Sequence, residues 1–113
     1  MSENLKDQAT NFLIYTTPTG DVKIEAFLHN ENIWLTQKKM ADLFNVDRTV
    51  ITKHLKNIFE EGELNENSVS AKYAHTAEDG KIYQTKYYNL DAIISVGYRV
   101  NSNLNLFIKS IKY

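Results

Sequence analysis

The chain of 113 residues has no cysteine, one proline and four glycines. Without thiols it has no disulfide framework, no thiolate nucleophile and no thiolate-ligated zinc site. Its three histidines, His29, His54 and His75, lie too far apart to share a helical turn, and none belongs to a His-Glu-x-x-His pattern. The sequence therefore offers neither a metal site nor a cofactor motif. No run approaches the ~20 apolar residues that cross a bilayer, and the N-terminus lacks the basic-then-apolar layout of a secretion signal. A cytoplasmic protein that does not engage membranes is expected. Charge of one sign is also lacking, with 13 Lys and Arg against 14 Asp and Glu and a net charge of −1. A chain that binds polyanions over its whole surface is excluded, so any nucleic-acid role must be local. No acid, base and nucleophile cluster in the sequence, which argues against an enzyme, and no small-molecule motif is evident.

What is present is enough to build one core, since 42% of the residues are hydrophobic and 12% aromatic. Residues 1–10 are polar and aperiodic and are expected to form a flexible N-terminal arm. Phe12-Leu13-Ile14-Tyr15-Thr16-Thr17 is rich in β formers, Pro18-Thr19-Gly20-Asp21 is turn chemistry, and residues 22–28 alternate with period two. These features predict a β-hairpin with one buried face. A second turn at His29-Asn30-Glu31-Asn32 leads to Ile33-Trp34-Leu35, read either as a third strand or as the apolar lead into a helix.

Residues 36–59 carry the signature of a helix-turn-helix. Thr36 is placed to cap a first helix in which Met40, Ala41, Leu43 and Phe44 share one arc and Lys38, Lys39 and Asp42 lie opposite. Asn45 stands where a left-handed residue ends a helix, Val46 plugs the turn, and Asp47 has the side chain to cap a second helix over 48–59. Small Ala41 leaves room for a crossing helix, and its spacing from Gln37, Val46 and Ile51 fits the motif. On the second helix, Val50, Ile51, His54, Leu55, Ile58 and Phe59 fill one half, and Arg48, Thr49, Thr52, Lys53, Lys56 and Asn57 fill the other, with no acid. Arg, Lys, Thr and Asn are the side chains that reach phosphates and base edges. Over residues 36–59, five basic residues face two acids, a local net of +3. Taken alone, such a helix is better read as a solvated basic face; the caps, the tight turn, Ala41 and the wing shift the reading to DNA binding. His54, at the edge of the apolar half, is read as a core or boundary imidazole and not as a ligand.

Glu60-Glu61-Gly62-Glu63 ends the second helix and its acids would repel phosphate, so this end should point away from DNA. Residues 69–75 and 82–88 read as two strands joined by the Glu78-Asp79-Gly80-Lys81 turn, a β-wing over 69–88 in which Lys72, Lys81 and Lys86 are candidate phosphate contacts, with Thr76 and Gln84 weaker ones. Tyr73, Tyr83, Tyr87 and Tyr88 are expected mostly in the core or supporting the sheet. Asn89 caps a further helix over 89–99, and Leu104, Phe107, Ile108 and Ile111, at helical spacing, predict a short amphipathic helix in the C-terminal segment 103–113. Its stripe would either complete the core or serve self-association.

Ile33-Trp34-Leu35-Thr36-Gln37, Ile58-Phe59-Glu60-Glu61-Gly62-Glu63-Leu64, Glu66-Asn67-Ser68-Val69 and above all Tyr87-Tyr88-Asn89-Leu90-Asp91-Ala92-Ile93-Ile94-Ser95-Val96-Gly97-Tyr98-Arg99-Val100 resemble the RhuM virulence-protein family of bacteria. The likeness covers about residues 11–102. It implies a bacterial DNA-binding protein of the kind carried on mobile or pathogenicity-associated islands, and it supplies no catalytic residues. Members continue past the Gly-Tyr-Arg-Val stretch with an Arg-Gly-Thr-Gln-Phe-Arg-type segment and a longer C-terminal portion. Residues 103–113 depart from that pattern, so the resemblance implies a truncated member or an isolated N-terminal domain.

The expected fold is α+β, a winged helix-turn-helix domain over 11–102 with an N-terminal β-hairpin and a C-terminal helix. The expected function is a transcriptional regulator that reads double-stranded DNA, with Arg48, Thr49, Thr52 and Lys53 in the major groove and Lys38, Lys56 and Lys81 on phosphates. Gln37 and Asn57 complete the candidate set. A homodimer on a two-fold site is the usual arrangement for such a fold, though no residue requires it. The alternative is a winged-helix scaffold for protein–protein interaction, which the near-neutral charge and the C-terminal apolar stripe favour.

Overall fold

The computed structural model of the chain describes residues 9–112. Its N-terminal hairpin pairs β1 (Ala9–Thr17) with β2 (Gly20–His29) from Thr17↔Gly20 to Asn11↔Ala26. Pro18 and Thr19 form the turn, and Gly20 takes φ +135°, a backbone angle that side chains disfavour. The last residues of β2 pair instead with β3 (Asn32–Leu35), so one strand links two parts of the sheet. The turn between them is Asn30-Glu31, both at positive φ (52° and 60°), as a two-residue hairpin loop requires. Ile33-Trp34-Leu35 is thus a strand.

Next come α1 (Gln37–Phe44), α2 (Arg48–Glu60) and the four-residue α3 (Glu66–Val69), followed by β4 (Ser70–Thr76) and β5 (Ile82–Asn89). The hairpin β4–β5 is in register from Ser70↔Tyr88 to Thr76↔Ile82, and β5 returns to pair with β3 at Trp34↔Asn89 and Leu35↔Tyr88. Then α4 (Leu90–Val100) leads to β6 (Leu106–Lys112), which pairs with the outer edge of β1. The six strands form one antiparallel sheet in the order β4-β5-β3-β2-β1-β6, giving a mixed α+β fold.

The core lies between one face of this sheet and the helices. Leu13, Tyr15, Ile33, Leu35 and Tyr88 from the strands meet Met40, Leu43, Phe44, Ile51, Ile58, Ile93 and Val96. Each fully buried Leu, Ile or Met contributes about 1.5–3 kcal/mol by leaving water. The opposite face of the sheet is open. It carries Phe27, His29, Trp34, Tyr73 and Tyr87, packed edge-on or stacked with centroids 5.2 to 5.9 Å apart. Of the four tyrosines expected in the core or supporting the sheet, Tyr88 is buried, Tyr73 and Tyr87 belong to this surface cluster, and Tyr83 is exposed.

Two expectations fail at the chain ends. The segment expected as an amphipathic helix is strand β6. Leu104, Leu106 and Ile108 also fit a period of two, and Leu106 and Ile108 pair opposite Tyr15 and Leu13, satisfying the outer backbone groups of β1. The flexible arm expected over 1–10 is already strand at Ala9 and Thr10, which pair with Lys112 and Ile111; the rest of that expectation lies outside the described residues. Helix α3 was not anticipated, being too short for periodicity to reveal. Among the described residues no helix is long and apolar enough to cross a membrane.

Candidate nucleic-acid interface

The candidate surface is assembled from the two caps outward. Thr36 Oγ1 accepts from Lys39 N at 3.2 Å and opens α1, whose buried side is Met40, Ala41, Leu43 and Phe44. Asn45 ends the helix in the left-handed region (φ 55°, ψ 50°), and its N–H bonds to the Ala41 carbonyl. Two residues later Asp47 Oδ2 accepts from the Thr49 amide at 3.0 Å and from the Thr49 hydroxyl, starting α2. Those two bonds, the hydroxyl first, hold the Asp47 carboxyl below its usual range. Asp47 is thereby committed to the helix terminus. The tight turn fixes α2 against α1, and α2 buries Ile51, Leu55 and Ile58.

Arg48, Thr49, Thr52, Lys53 and Lys56 are all exposed on the other side of α2. Among the described residues neither Arg48 nor Lys53 has an ion pair, and Lys38 on α1 has none. Lys56 lies 4.0 Å from Glu60, an exposed i,i+4 pair of small energetic weight. Asn57 is half-buried towards the end of the helix. Thr49 shares its hydroxyl with the Asp47 cap. Gln37 is half-buried and joined to the outer side of α2: Thr52 Oγ1 donates to Gln37 Oε1 at 2.6 Å, and Gln37 Nε2 donates to the Tyr88 hydroxyl at 3.1 Å. Tyr88 is a member of this group that no local sequence signal indicates, because β3–β5 pairing alone brings it beside Gln37. Lys39, a neighbour of the site, donates to the Glu25 carbonyl at 3.2 Å and so is tied to β2.

Lys81 stands apart from α2, in the turn between β4 and β5. That turn is closed by Ala77 N to Lys81 O (2.8 Å) and Gly80 N to Ala77 O (3.0 Å), with Gly80 at φ +82°. Asp79 accepts from the Lys81 amide and the Tyr83 hydroxyl, and these bonds lower its carboxyl pKa. Lys86, expected to face phosphate, is instead engaged by the Glu66 carboxylate of α3, which raises its pKa. Lys72 is exposed.

At the C-terminal end of α2, Glu61 and Glu63 each take a bond from Arg99 of α4 at 2.8 Å. Hydrogen bonding to Arg99 pulls both carboxyls below their ordinary value. His54, half-buried on α2, has its pKa lowered by burial first and then by the positive charges of Arg99 and Lys53. Half-buried at the edge of the apolar side, His54 is a boundary residue. No protein family, curated protein or solved structure matches the chain.

Proposed function

We propose that this chain is a winged helix-turn-helix protein that binds double-stranded DNA as a transcriptional regulator, with α2 as its recognition helix. The observation that carries this reading is the outer side of α2, where Arg48, Thr52, Lys53 and Lys56 are exposed and the acid at its N-terminus, Asp47, is spent on the cap. The strand order supports it: β3 precedes α1 and α2, and β4–β5 follows them and returns to pair with β3, as a wing requires. In this reading Arg48, Thr52 and Lys53 meet base edges, while Lys38 and Lys81 hold phosphates. The acidic end at Glu61 and Glu63 is neutralised by Arg99 and faces away. The proposal includes a cytoplasmic location, kinship with the RhuM-like virulence proteins through the run from Tyr87 to Val100, and a homodimer on a palindromic site.

Fluorescence anisotropy with random and genomic duplexes across a salt series tests it. Phosphate contacts from Lys38 and Lys81 would contribute about −1.8 to the slope of log affinity against log salt, with a loss of about 0.9 for each of Lys38→Ala and Lys81→Ala, while Arg48→Ala and Lys53→Ala should weaken binding and relax base preference. Absence of binding at low salt rejects the reading. That outcome would favour a protein-interaction scaffold, to which one observation already points: the open sheet face exposes Phe27 at 41% beside Tyr73 and Tyr87.

A further inference from the structure

We infer that Tyr88 is a positioning residue for base recognition, holding the Gln37 carboxamide so that Gln37 and Thr52 together read the edge of an adenine. The inference rests on the DNA-binding reading above. Three elements meet here. Tyr88 comes from β5, Gln37 opens α1, and Thr52 lies on the outer side of α2.

Tyr88 is 3% exposed, its backbone is paired with Leu35, and its ring stacks on Phe59 at 6.5 Å and 20°. A ring held on these sides presents its hydroxyl at a fixed point. Gln37 Nε2 donates to that hydroxyl, and Gln37 Oε1 accepts from Thr52 Oγ1, which also lies 3.2 Å from the Arg48 carbonyl. The amide is therefore held at both ends. Both hydroxyls can donate as well as accept, so the two bonds fix where the amide lies whichever end faces Tyr88.

A carboxamide carries two N–H groups and two carbonyl lone pairs. The internal bonds use one of each and leave one of each. A donor beside an acceptor is what the major-groove edge of adenine accepts, through N7 and the N6 amino group. An isolated surface glutamine would have to be ordered on binding. Here the order exists before DNA arrives, and it comes from the returning strand of the wing.

The test starts from a duplex enriched from a random pool by the wild-type chain, with variants in which each A·T pair is changed to G·C. Tyr88→Phe keeps the ring and removes only the hydroxyl. It should bind the enriched duplex about tenfold more weakly, bind random duplex within about twofold of wild type, and leave the salt slope unchanged, because phosphate contacts are untouched. Preference for adenine at one position should disappear, and Gln37→Ala added to Tyr88→Phe should cost little more. Equal weakening on enriched and random duplex would mark Tyr88 as merely structural and overturn the inference, as would an unchanged preference. Circular dichroism checks folding. If Tyr88→Phe does not fold, Thr52→Val on the exposed side of α2 must erase the same adenine preference, and retention of that preference overturns the inference. Wild-type chain that binds no duplex rejects the DNA-binding reading and this inference with it, whereas wild-type binding with no effect of Tyr88→Phe rejects this inference alone.

Discussion

Replacing Gly97 with alanine sets two opposing effects against each other. Gly97 lies inside α4, and a helix interior gains about 1 kcal/mol when glycine becomes alanine. The added Cβ, however, would lie 2.9 Å from both Cδ atoms of Leu104 and 2.9 Å from Phe44 Cζ. Ordinary carbon contacts are about 3.5–4.0 Å, so the neighbours must move, and overpacking of this kind costs about 1–3 kcal/mol. Leu104 is half-buried and can turn. Phe44 has less freedom, being 4% exposed and edge-on to Tyr15 at 5.4 Å. The clash should therefore win, for a net loss of about 1 kcal/mol, which for a chain of 113 residues lowers Tm by about 4 °C. Urea unfolding followed by circular dichroism measures it. Leu104→Ala removes the two leucine contacts, so Gly97→Ala should cost less in that background, with a coupling of at least about 0.5 kcal/mol. A Gly97→Ala chain as stable as wild type, or additivity with Leu104→Ala, would refute the reasoning. Because Phe44 is the last residue of α1, the same variant also tests how far a push from α4 reaches the turn at Asn45.

Glu31 holds a left-handed conformation in the β2–β3 turn, so Glu31→Gly should raise stability by up to about 1 kcal/mol in urea titration; no gain would mean that the side chain makes a compensating contact. Asn45→Ala should cost about 1 kcal/mol while Asn45→Gly stays close to wild type, since only alanine suffers at φ 55°; equal losses would remove the left-handed cap from the explanation. Arg99 lowers the carboxyl pKa values of Glu61 and Glu63, so its contribution is present above their unfolded value of 4.5 and disappears as pH falls through the lower folded values. Thermal melts should accordingly show Arg99→Met less stable than wild type near neutrality, with the gap closing below about pH 4.5. A gap independent of pH would assign the effect of Arg99 to packing.

The helix pair was legible because its signals are local. Thr36, Asn45 and Asp47 sit at the ends they cap, and the division of α2 into apolar and basic halves follows from its spacing alone. The hairpin β4–β5 was legible for the same reason, with Gly80 in its turn. What stayed hidden depends on partners distant in sequence. Glu66 claims Lys86 across a short helix that has no periodic signature, and Tyr88 reaches Gln37 only because β5 returns to β3. The segment containing Leu104, Phe107, Ile108 and Ile111 fits a helix by spacing, yet β1, from the other end of the chain, offers it a row of unpaired backbone groups.

The pairing of β1 with β6 also bears on the order in which the molecule assembles. The hairpin pairings and the α1–α2 packing join neighbouring segments that a growing or collapsing chain can close early, and β3–β5 joins segments further apart at Trp34↔Asn89, but Ala9↔Lys112 spans nearly the whole sequence. Loop-closure entropy places that contact late on the path, after β1 and β2 have made the template. It also brings the first and last described residues side by side. Joining them by a short linker and opening the chain at Pro18-Thr19 would preserve every strand neighbour while exchanging which pairing closes last: β1–β6 would become a hairpin and β1–β2 the end-to-end contact, so such a circular permutant should reach the same fold with the order of these two pairings reversed.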